Sequence, residues 1–205
     1  AQATLAQGLN SHFRAGHPYS EVAVESLPMS CLPPLDDELA EGCYSNGVWL
    51  RGCLAPWHPT DDGRIAAALA AARLQPDDLL LDLGCGDGKI CFAAAESVGC
   101  RALGVELDAA MVRQALQKLR DLPESLRGLV EIRQGDLLEM ELAERPSCVT
   151  VYLMSDHYEK LDPLLEGFAR AGVKVVIFAW PLRGDLWASR LAAEGDGWWL
   201  YQATS

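Results

Sequence analysis

Short apolar runs alternate with segments of helical pattern from residue 60 onward, and the connections between them are short. Runs of apolar or β-branched residues predict buried strands, whereas apolar residues spaced three and four apart predict helices. Such alternation favours a parallel sheet covered by helices on both faces, because parallel strands need a crossover connection. We therefore predict a doubly wound α/β fold. The predicted strands are 79–83, 102–106, 129–134, 148–153, 173–179 and 198–204, and the predicted helical segments are 60–74 with Thr60 as N-cap, 89–98, 109–122 and 156–170 with Gly172 as C-cap.

Residues 1–54 differ from the rest of the chain. They contain four prolines, an acidic cluster at 36–38 and little periodicity. The 205 residues are enough for one sizeable core and too few for two ordinary domains. We predict an irregular N-terminal lead-in or cap over 1–54 and one domain over 55–205. The short stretch between Leu186 and Glu194 leaves open whether a further strand lies there.

Glycine occupies every second position in part of the stretch LLLDLGCGDGKI, residues 79–90, directly after a predicted buried strand. Gly84, Gly86 and Gly88 let the backbone turn sharply and let a ligand approach without Cβ atoms in the way. The spacing is not the dinucleotide-binding fingerprint, whose third glycine would fall at Lys89. It is not the phosphate-binding loop either, because serine or threonine does not follow the glycine–lysine pair.

Three carboxylates follow or end three successive predicted strands: Asp82, Glu106 and Asp136. Glu106 lies at the distance past the glycines where a carboxylate can accept both hydroxyls of a ribose. Asp136 could accept a hydrogen bond from an adenine amino group or satisfy nearby backbone donors. The carboxyl ends of parallel strands meet at one edge of a sheet, where ligands bind beside the point at which strand order reverses. The sequence therefore predicts a ligand site at this edge.

Composition restricts the class of partner. The 29 acidic and 17 basic residues give a net charge of -12, which disfavours a phosphate backbone, so we expect no nucleic-acid partner. A basic protein or a small molecule suits this charge better. The seven cysteines form no Cys-x-x-Cys pair. This pattern indicates reduced thiols rather than a disulfide framework or a zinc site, and we expect no bound metal.

The longest apolar stretches fall short of the about 20 residues that a membrane helix needs, so we expect no membrane segment in this chain. The first residue is Ala1 rather than methionine, which is compatible with a removed targeting or anchoring segment. We expect an intracellular protein, either cytoplasmic or mitochondrial.

Four segments, DLGCGDGKI, GVELD, GDLL and VTVYL, resemble the motif series of class I S-adenosylmethionine-dependent methyltransferases, and the likeness covers residues 56–205. It is greater still for a bacterial and mitochondrial branch that includes the lysine methyltransferases acting on the ATP synthase c-subunit and the adenine nucleotide carrier. That branch typically has Pro-x-x-Pro-Thr/Ser before the first helix and Gly-Asp-Trp before the last strand, where this chain has PWHPT and RGDLW. The departures are Lys89 in place of arginine, the sequence after Leu153, and the acidic lead-in in place of a membrane anchor.

The resemblance implies a Rossmann-like methyltransferase fold with a mostly parallel, seven-stranded sheet, and S-adenosyl-L-methionine as the cofactor. It implies that Asp82 and the glycines cradle the methionine part, that Glu106 holds the ribose and that Tyr152 lines the floor beneath the reactive methyl group. The implied cofactor-binding residues are Thr60 at the methionine carboxylate, Asp82, Gly84, Cys85, Gly86, Glu106, Leu107, Asp136 and Leu137 at the adenine edge, and Leu153 beside Tyr152.

The resemblance also implies a protein substrate whose lysine amine accepts the methyl group. A lysine with a reference pKa of about 10.4 arrives charged and must lose a proton, which burial and a nearby cationic sulfonium promote. We expect Asp156 to orient the amine, and Asp156 and Tyr152 are the candidate catalytic residues. Candidates for an aromatic channel are Trp57, Tyr152, Tyr158 and Trp180.

Two other functions stay open: a small-molecule methyltransferase and a non-catalytic cofactor-fold binding module. The intact glycines and acids argue against the module. The segment LMSDHY after the fourth predicted strand lacks the Asn/Asp-Pro-Pro-Tyr/Phe motif of adenine-N6 and glutamine methyltransferases. The sequence also lacks the cluster of acids and asparagine that metal-dependent catechol-type enzymes would need.

Overall fold

The computed structural model describes residues 60–152 and 158–203. The predicted lead-in lies outside these ranges, as do Trp57, Leu153, Asp156 and Thr204. The helices are α1 (Asp62–Ala72), α2 (Lys89–Val98), α3 (Ala109–Asp121), α4 (Glu124–Arg127), α5 (Tyr158–Arg170) and α6 (Asp185–Ala188). The strands are β1 (Leu79–Leu83), β2 (Arg101–Glu106), β3 (Val130–Gln134), β4 (Cys148–Tyr152), β5 (Lys174–Phe178), β6 (Leu191–Gly195) and β7 (Trp198–Tyr201).

In the described residues these strands form one sheet with the order β3-β2-β1-β4-β5-β7-β6. Strands β1 to β5 are parallel, and β7 is antiparallel to both β5 and β6. The order reverses beside β1, because the chain moves outward through β2 and β3 and then returns to β4 on the other side of β1. This topology confirms the predicted mostly parallel α/β sheet. It also places the carboxyl ends of β1, β2, β4 and β5 at one edge, where a ligand crevice forms in such sheets.

A further strand is present between Leu186 and Glu194, which the sequence left open. It is β6, which joins β7 through a turn at Asp196–Gly197. Asp-Gly is typical of tight hairpin turns because glycine accepts a positive φ, and φ of Gly197 is 72°.

Strand β1 is the centre of the core, and all five of its residues are buried. Leu80 belongs to the hydrophobic cluster that contains residues of α1, α2 and α3, whereas Leu81 and Leu83 belong to the cluster that contains residues of α5. A strand that is covered on both faces reads as a continuous apolar run rather than as an alternating one. The run at residues 79–83 therefore predicted this position in the fold.

The predicted N-cap of α1 is wrong by one residue. Asp61 caps the helix, because its Oδ1 accepts a hydrogen bond from the Arg64 N–H at 3.0 Å, and Thr60 lies just before it, buried. Aspartate and threonine both favour N-caps, so the residue types alone did not separate the two positions. The predicted cap of α5 is confirmed: Gly172 has φ 82°, and its N–H donates to the Ala169 carbonyl at 3.1 Å.

The longest described helices, α3 and α5, have 13 residues each. No helix within residues 60–152 and 158–203 combines the length and the apolar character that a membrane crossing requires.

Gly104 allows the loop after β1 to fold back against β2. It lies opposite Asp82 in the parallel register of the two strands. A Cβ atom at this position would lie 2.6 Å from Cys85 Sγ, 2.9 Å from Cys85 Cβ and 3.0 Å from Ile132 Cδ1. These neighbours are buried and cannot withdraw without disturbing the loop or the core.

We expect Gly104→Ala to lower the free energy of unfolding by about 2 kcal/mol through overpacking, measured by urea denaturation. Gly128→Ala is the matched control, because φ at Gly128 is -68° and, among the described residues, no heavy atom outside its immediate neighbours would lie within 4 Å of the new Cβ. This control should stay within about 0.5 kcal/mol of the parent. Equal stability of the two variants would contradict the steric role of Gly104.

Candidate functional site

The loop after β1 is fastened to the end of β2. The N–H groups of Gly84 and Cys85 both donate to the Val105 carbonyl, at 2.9 and 3.0 Å. Gly84 and Gly86 have backbone φ angles of 75° and 55°, which residues other than glycine rarely adopt. The loop therefore holds a fixed, left-handed path at the carboxyl edge of the sheet, directly before α2.

Glu106 joins this loop to the turn that follows β2. Its Oε2 accepts the Gly86 N–H and its Oε1 accepts the Asp108 N–H, each at 2.9 Å. Burial raises the pKa of Glu106, while the hydrogen bonds from Asp108 and Gly86 act in the opposite direction. A carboxylate offers about four acceptor positions, so this one keeps acceptor capacity for further donors such as paired hydroxyls.

Asp82 is a buried acid in the middle of the sheet, only 2% exposed. Its Oδ1 accepts a hydrogen bond from the Thr150 hydroxyl at 2.6 Å, across the register pair that joins β1 to β4. Cys91 Sγ lies 4.0 Å from the other oxygen. Burial raises the pKa of Asp82 to about 7; the Thr150 hydrogen bond opposes this rise, and the negative charges of Glu106 and Asp87 add to it.

Thr60 is connected to the glycine loop through Lys89. The Lys89 ammonium donates to the Thr60 carbonyl at 2.6 Å and forms an ion pair with Asp62 Oδ1 at 2.8 Å. A cation in the first turn of a helix opposes the helix dipole, so Lys89 is unfavourable for α2 by itself. Its contacts with the start of α1 compensate for this, and they hold the two helix N-termini side by side.

Asp136 follows β3 and fulfils one of its two predicted roles. Its Oδ1 accepts the Leu138 N–H at 2.8 Å, so the side chain satisfies a nearby backbone donor. Asp136 and Leu137 are both half-buried at the same edge of the sheet as Glu106. The carboxylate keeps acceptor capacity beyond this hydrogen bond.

The other half of the edge is formed by the ends of β4 and β5. Tyr152 and Phe178 end these two strands as a register pair, and their ring centroids lie 6.4 Å apart. The next residue, Ala179, has φ 75°, which is unusual for a residue with a side chain. Trp180 then follows and remains 41% exposed.

The structure brings most of the predicted site residues together at one edge. The loop after β1 brings together Asp82, Gly84, Cys85, Gly86 and Glu106, through hydrogen bonds or adjacent positions in the chain. Leu107 is half-buried beside them, and Thr60 joins them through Lys89. Leu153 and Asp156 lie outside the described residues, and the side chain of Tyr158 is likewise not described. In the ranges that the structure describes, no three His, Cys, Asp or Glu side chains form a group that could hold a metal ion.

Two residues that bind the predicted site residues were not identified from the sequence. The sequence pattern could have identified Thr150, because it is the polar residue in the otherwise apolar run CVTVY and therefore needs a buried hydrogen-bond partner. The pattern could also have identified Lys89, since a cation at a helix start needs a compensating acid. Burial raises the pKa of the Cys85 and Cys91 thiols, which identifies both as packed thiols rather than nucleophiles.

Comparisons with known proteins agree on the fold and the chemistry. The sequence model of the ANTKMT methyltransferase domain family matches residues 82–188, more than half of the chain. A protein-lysine N-methyltransferase of Saccharolobus islandicus is 32% identical over 130 residues, which are 63% of this chain and 79% of that protein. An RNA methyltransferase from Salinibacter ruber, solved in complex with S-adenosyl-L-homocysteine, is 32% identical with a TM-score of 0.59, over 71% of this chain and 93% of that one.

A methyltransferase from Thiobacillus denitrificans, also in complex with S-adenosyl-L-homocysteine, has a TM-score of 0.51 at 20% identity and covers 62% of this chain and 53% of its own. At that identity the likeness concerns the fold alone. Together with the sheet order, these comparisons confirm the Rossmann-like methyltransferase fold and S-adenosylmethionine as cofactor.

The raised pKa of Asp82 predicts that the free energy of unfolding depends on pH. Because the folded-state pKa is about 7 against an ordinary value of 3.8, the folded chain binds this proton more tightly than the unfolded chain does. The contribution is complete below the ordinary pKa and is lost as pH rises through the folded pKa. We expect the parent to lose on the order of 4 kcal/mol relative to Asp82→Asn between about pH 4 and about pH 8, measured by urea denaturation.

Thr150→Val removes the hydrogen bond that favours the ionised carboxylate, so it should make the loss of stability above neutral pH larger than in the parent. If the parent and the Asp82→Asn variant lose or gain stability in parallel over this range, Asp82 does not titrate as its burial requires.

Proposed function

The chain belongs to the family of ANTKMT methyltransferase domains, and from this we propose that it transfers a methyl group from S-adenosylmethionine to the side-chain amine of a lysine in a protein. We choose lysine as the acceptor because the chain is similar to the protein-lysine N-methyltransferase of Saccharolobus islandicus over 79% of that protein. The half-buried carboxylate of Glu106, which accepts a hydrogen bond from the glycine loop, supports the choice of binding site.

The residues at the edge fit the cofactor by the chemistry of their acceptors. Glu106 uses its two oxygens for two backbone N–H groups and keeps lone pairs for the two ribose hydroxyls. Asp82, and the backbone of Gly84 and Gly86, would hold the methionine part of the cofactor. Further along the edge, Thr60 would bind the carboxylate of the methionine; Cys85, Leu107 and Leu153 would line the site, and Asp136 and Leu137 would hold the adenine edge.

Charge supports this assignment. Glu106 and Asp87 both raise the pKa of Asp82, so the site without a ligand holds like charges close together. An amino group and a sulfonium brought into this crevice relieve that repulsion and favour the ionised form of Asp82. When bound, the cofactor supplies a methyl group already activated by the positive sulfur.

The chain then has to align and deprotonate the acceptor. We propose that Tyr152 lines the floor at the end of β4 and that Asp156 orients the amine. Exclusion of water at this end of the sheet lowers the pKa of an entering lysine, since burial disfavours its charged form. Alignment of the amine with the bond between sulfur and methyl contributes the remainder of the rate enhancement.

A basic segment of protein suits the rim of this site. Asp61 and Asp62 are exposed at the start of α1, beside the loop, and Glu139 is exposed after β3. These acids attract a lysine-bearing, basic segment by complementary charge and speed its encounter. They repel the phosphates of RNA, which is the acceptor class named for the similar Salinibacter ruber enzyme.

The test is transfer of label from S-adenosylmethionine into a cell lysate that is then separated into protein, nucleic-acid and small-molecule fractions. We expect label in protein, on lysine after hydrolysis. Glu106→Ala should reduce it roughly a hundredfold, because two hydrogen bonds to a charged group are worth about 3 kcal/mol. Glu131→Ala, which removes an exposed carboxylate paired with Arg133 on β3, is the matched control and should label like the parent.

Label in the nucleic-acid or small-molecule fraction would refute the protein acceptor and leave the methyltransferase intact. Binding of S-adenosylhomocysteine without label in any fraction would favour the non-catalytic module.

A further inference from the structure

The residues that follow β5 form a fixed corner at the half of the edge that β4 and β5 form, and we call it the Ala179–Trp180 corner. Strand β5 lies beside β4, and β4 lies beside β1, which leads into the glycine loop. Neighbouring strands are about 4.8 Å apart, so the corner stands about 10 Å from the end of β1. That separation places the corner beyond the glycine loop, at the half of the edge where we propose that the acceptor binds.

Ala179 is held in an unfavourable backbone conformation by the hairpin of β6 and β7. Its φ is 75°, and its N–H donates to the Gly197 carbonyl at 2.9 Å. Gly197 in turn packs against α1, because a Cβ there would lie 3.0 Å from the Arg64 guanidinium carbon. Arg64 also pairs with Asp196 at 3.2 Å. Backbone strain of this kind persists where the surroundings impose it, and it clusters at sites that bind ligands.

The chain is anchored again directly after Trp180. The Leu182 N–H donates to the Tyr201 hydroxyl at 3.0 Å, and the Tyr201 ring meets the buried Trp187 edge-on at 5.3 Å. Trp187 is the tryptophan of the RGDLW segment, so that motif secures the far side of the corner. Trp180 therefore lies in a segment that is anchored on both sides. It stays partly exposed, whereas a large aromatic side chain is usually stabilised by burial.

An exposed tryptophan on a rigid segment is a preorganised contact, because little conformational freedom is lost when a partner covers it. The methylene stem of a lysine is the apolar part that such a ring can cover while the amine continues towards the site. We propose that Trp180 is the specificity-determining contact for the acceptor, packing against the stem of the lysine that is methylated. This inference rests on the proposed function, since it requires a protein acceptor.

The test compares Trp180→Ala with Leu191→Ala. Leu191 is similarly exposed, 44% against 41%, but it pairs with Tyr201 and thus lies at the amino-terminal end of the β5 register, on the opposite edge of the sheet. The probe is the protein fraction of a cell lysate with labelled S-adenosylmethionine, titrated over protein concentration. S-adenosylhomocysteine binding is measured in parallel by calorimetry.

We expect Trp180→Ala to lower the initial rate at low protein concentration by about tenfold, with a smaller effect at saturation, because a contact made equally in the bound and reacting states changes KM. The dissociation constant of S-adenosylhomocysteine should match that of the parent, and Leu191→Ala should behave as the parent in both assays. Trp180→Phe should restore most of the loss. Trp180→Gln serves in place of the alanine variant if that variant fails to fold.

A parental rate for Trp180→Ala, or a weakened binding of S-adenosylhomocysteine, would overturn the role of Trp180 while the parent still labels protein. Absence of protein label in the parent itself would overturn the proposed function, and this inference with it. The two failures are therefore distinguishable in one experiment.

Discussion

The fold and the site both depend on the burial of β1 between β2 and β4. All five of its residues are buried, so the one polar side chain, Asp82, must find its partner across the sheet, and Thr150 on β4 supplies the hydrogen bond. On the β2 side, Gly104 lies opposite Asp82 and leaves the space that Cys85 fills. The same strand pairings that make the core thus place a carboxylate and a tight loop at the point where strand order reverses.

Close packing of acids at that point explains why the site suits a cation. Asp82, Glu106 and Asp87 are near enough for the second and third to raise the pKa of the first, and Lys118 of α3 pairs with Asp87. A buried carboxylate that is partly protonated at neutral pH is a cost to the folded chain. A positive charge near Asp82 would favour its ionised form and reduce that cost.

Sequence reasoning succeeded where one local pattern decided the structure. The buried run of β1, the boundaries of α2 and the glycine at the end of α5 each follow from residues that lie next to one another. The prediction failed where two neighbouring residues both favour the N-cap position, as Thr60 and Asp61 do at the start of α1. Which of them caps the helix depends on contacts with distant residues, such as that of the Thr60 carbonyl with Lys89.

Contacts between segments that are distant in the sequence could not be predicted from the sequence. The hydrogen bonds of Lys89 with Thr60 and of Thr150 with Asp82 join residues 29 and 68 positions apart. The first depends on the packing of α1 beside α2, and the second on the register between β1 and β4. The positive φ of Ala179 is of the same kind, since nothing in an alanine predicts it. It is imposed by the hairpin carbonyl of Gly197, a contact that the order of the strands determines.

We expect the choice of acceptor to depend on residues outside the cofactor half of the sheet. The chain is 32% identical both to a protein named for lysine methylation and to one named for RNA methylation, so a shared fold and shared cofactor chemistry do not separate the two acceptors. Every class I enzyme of this kind must hold the same cofactor, and this requirement limits how far the residues at the ends of β1 and β2 can vary. The end of β5 and the acids at the start of α1 are free of that requirement, and we expect selection between a cationic side chain and a polyanion to act through their charge and shape.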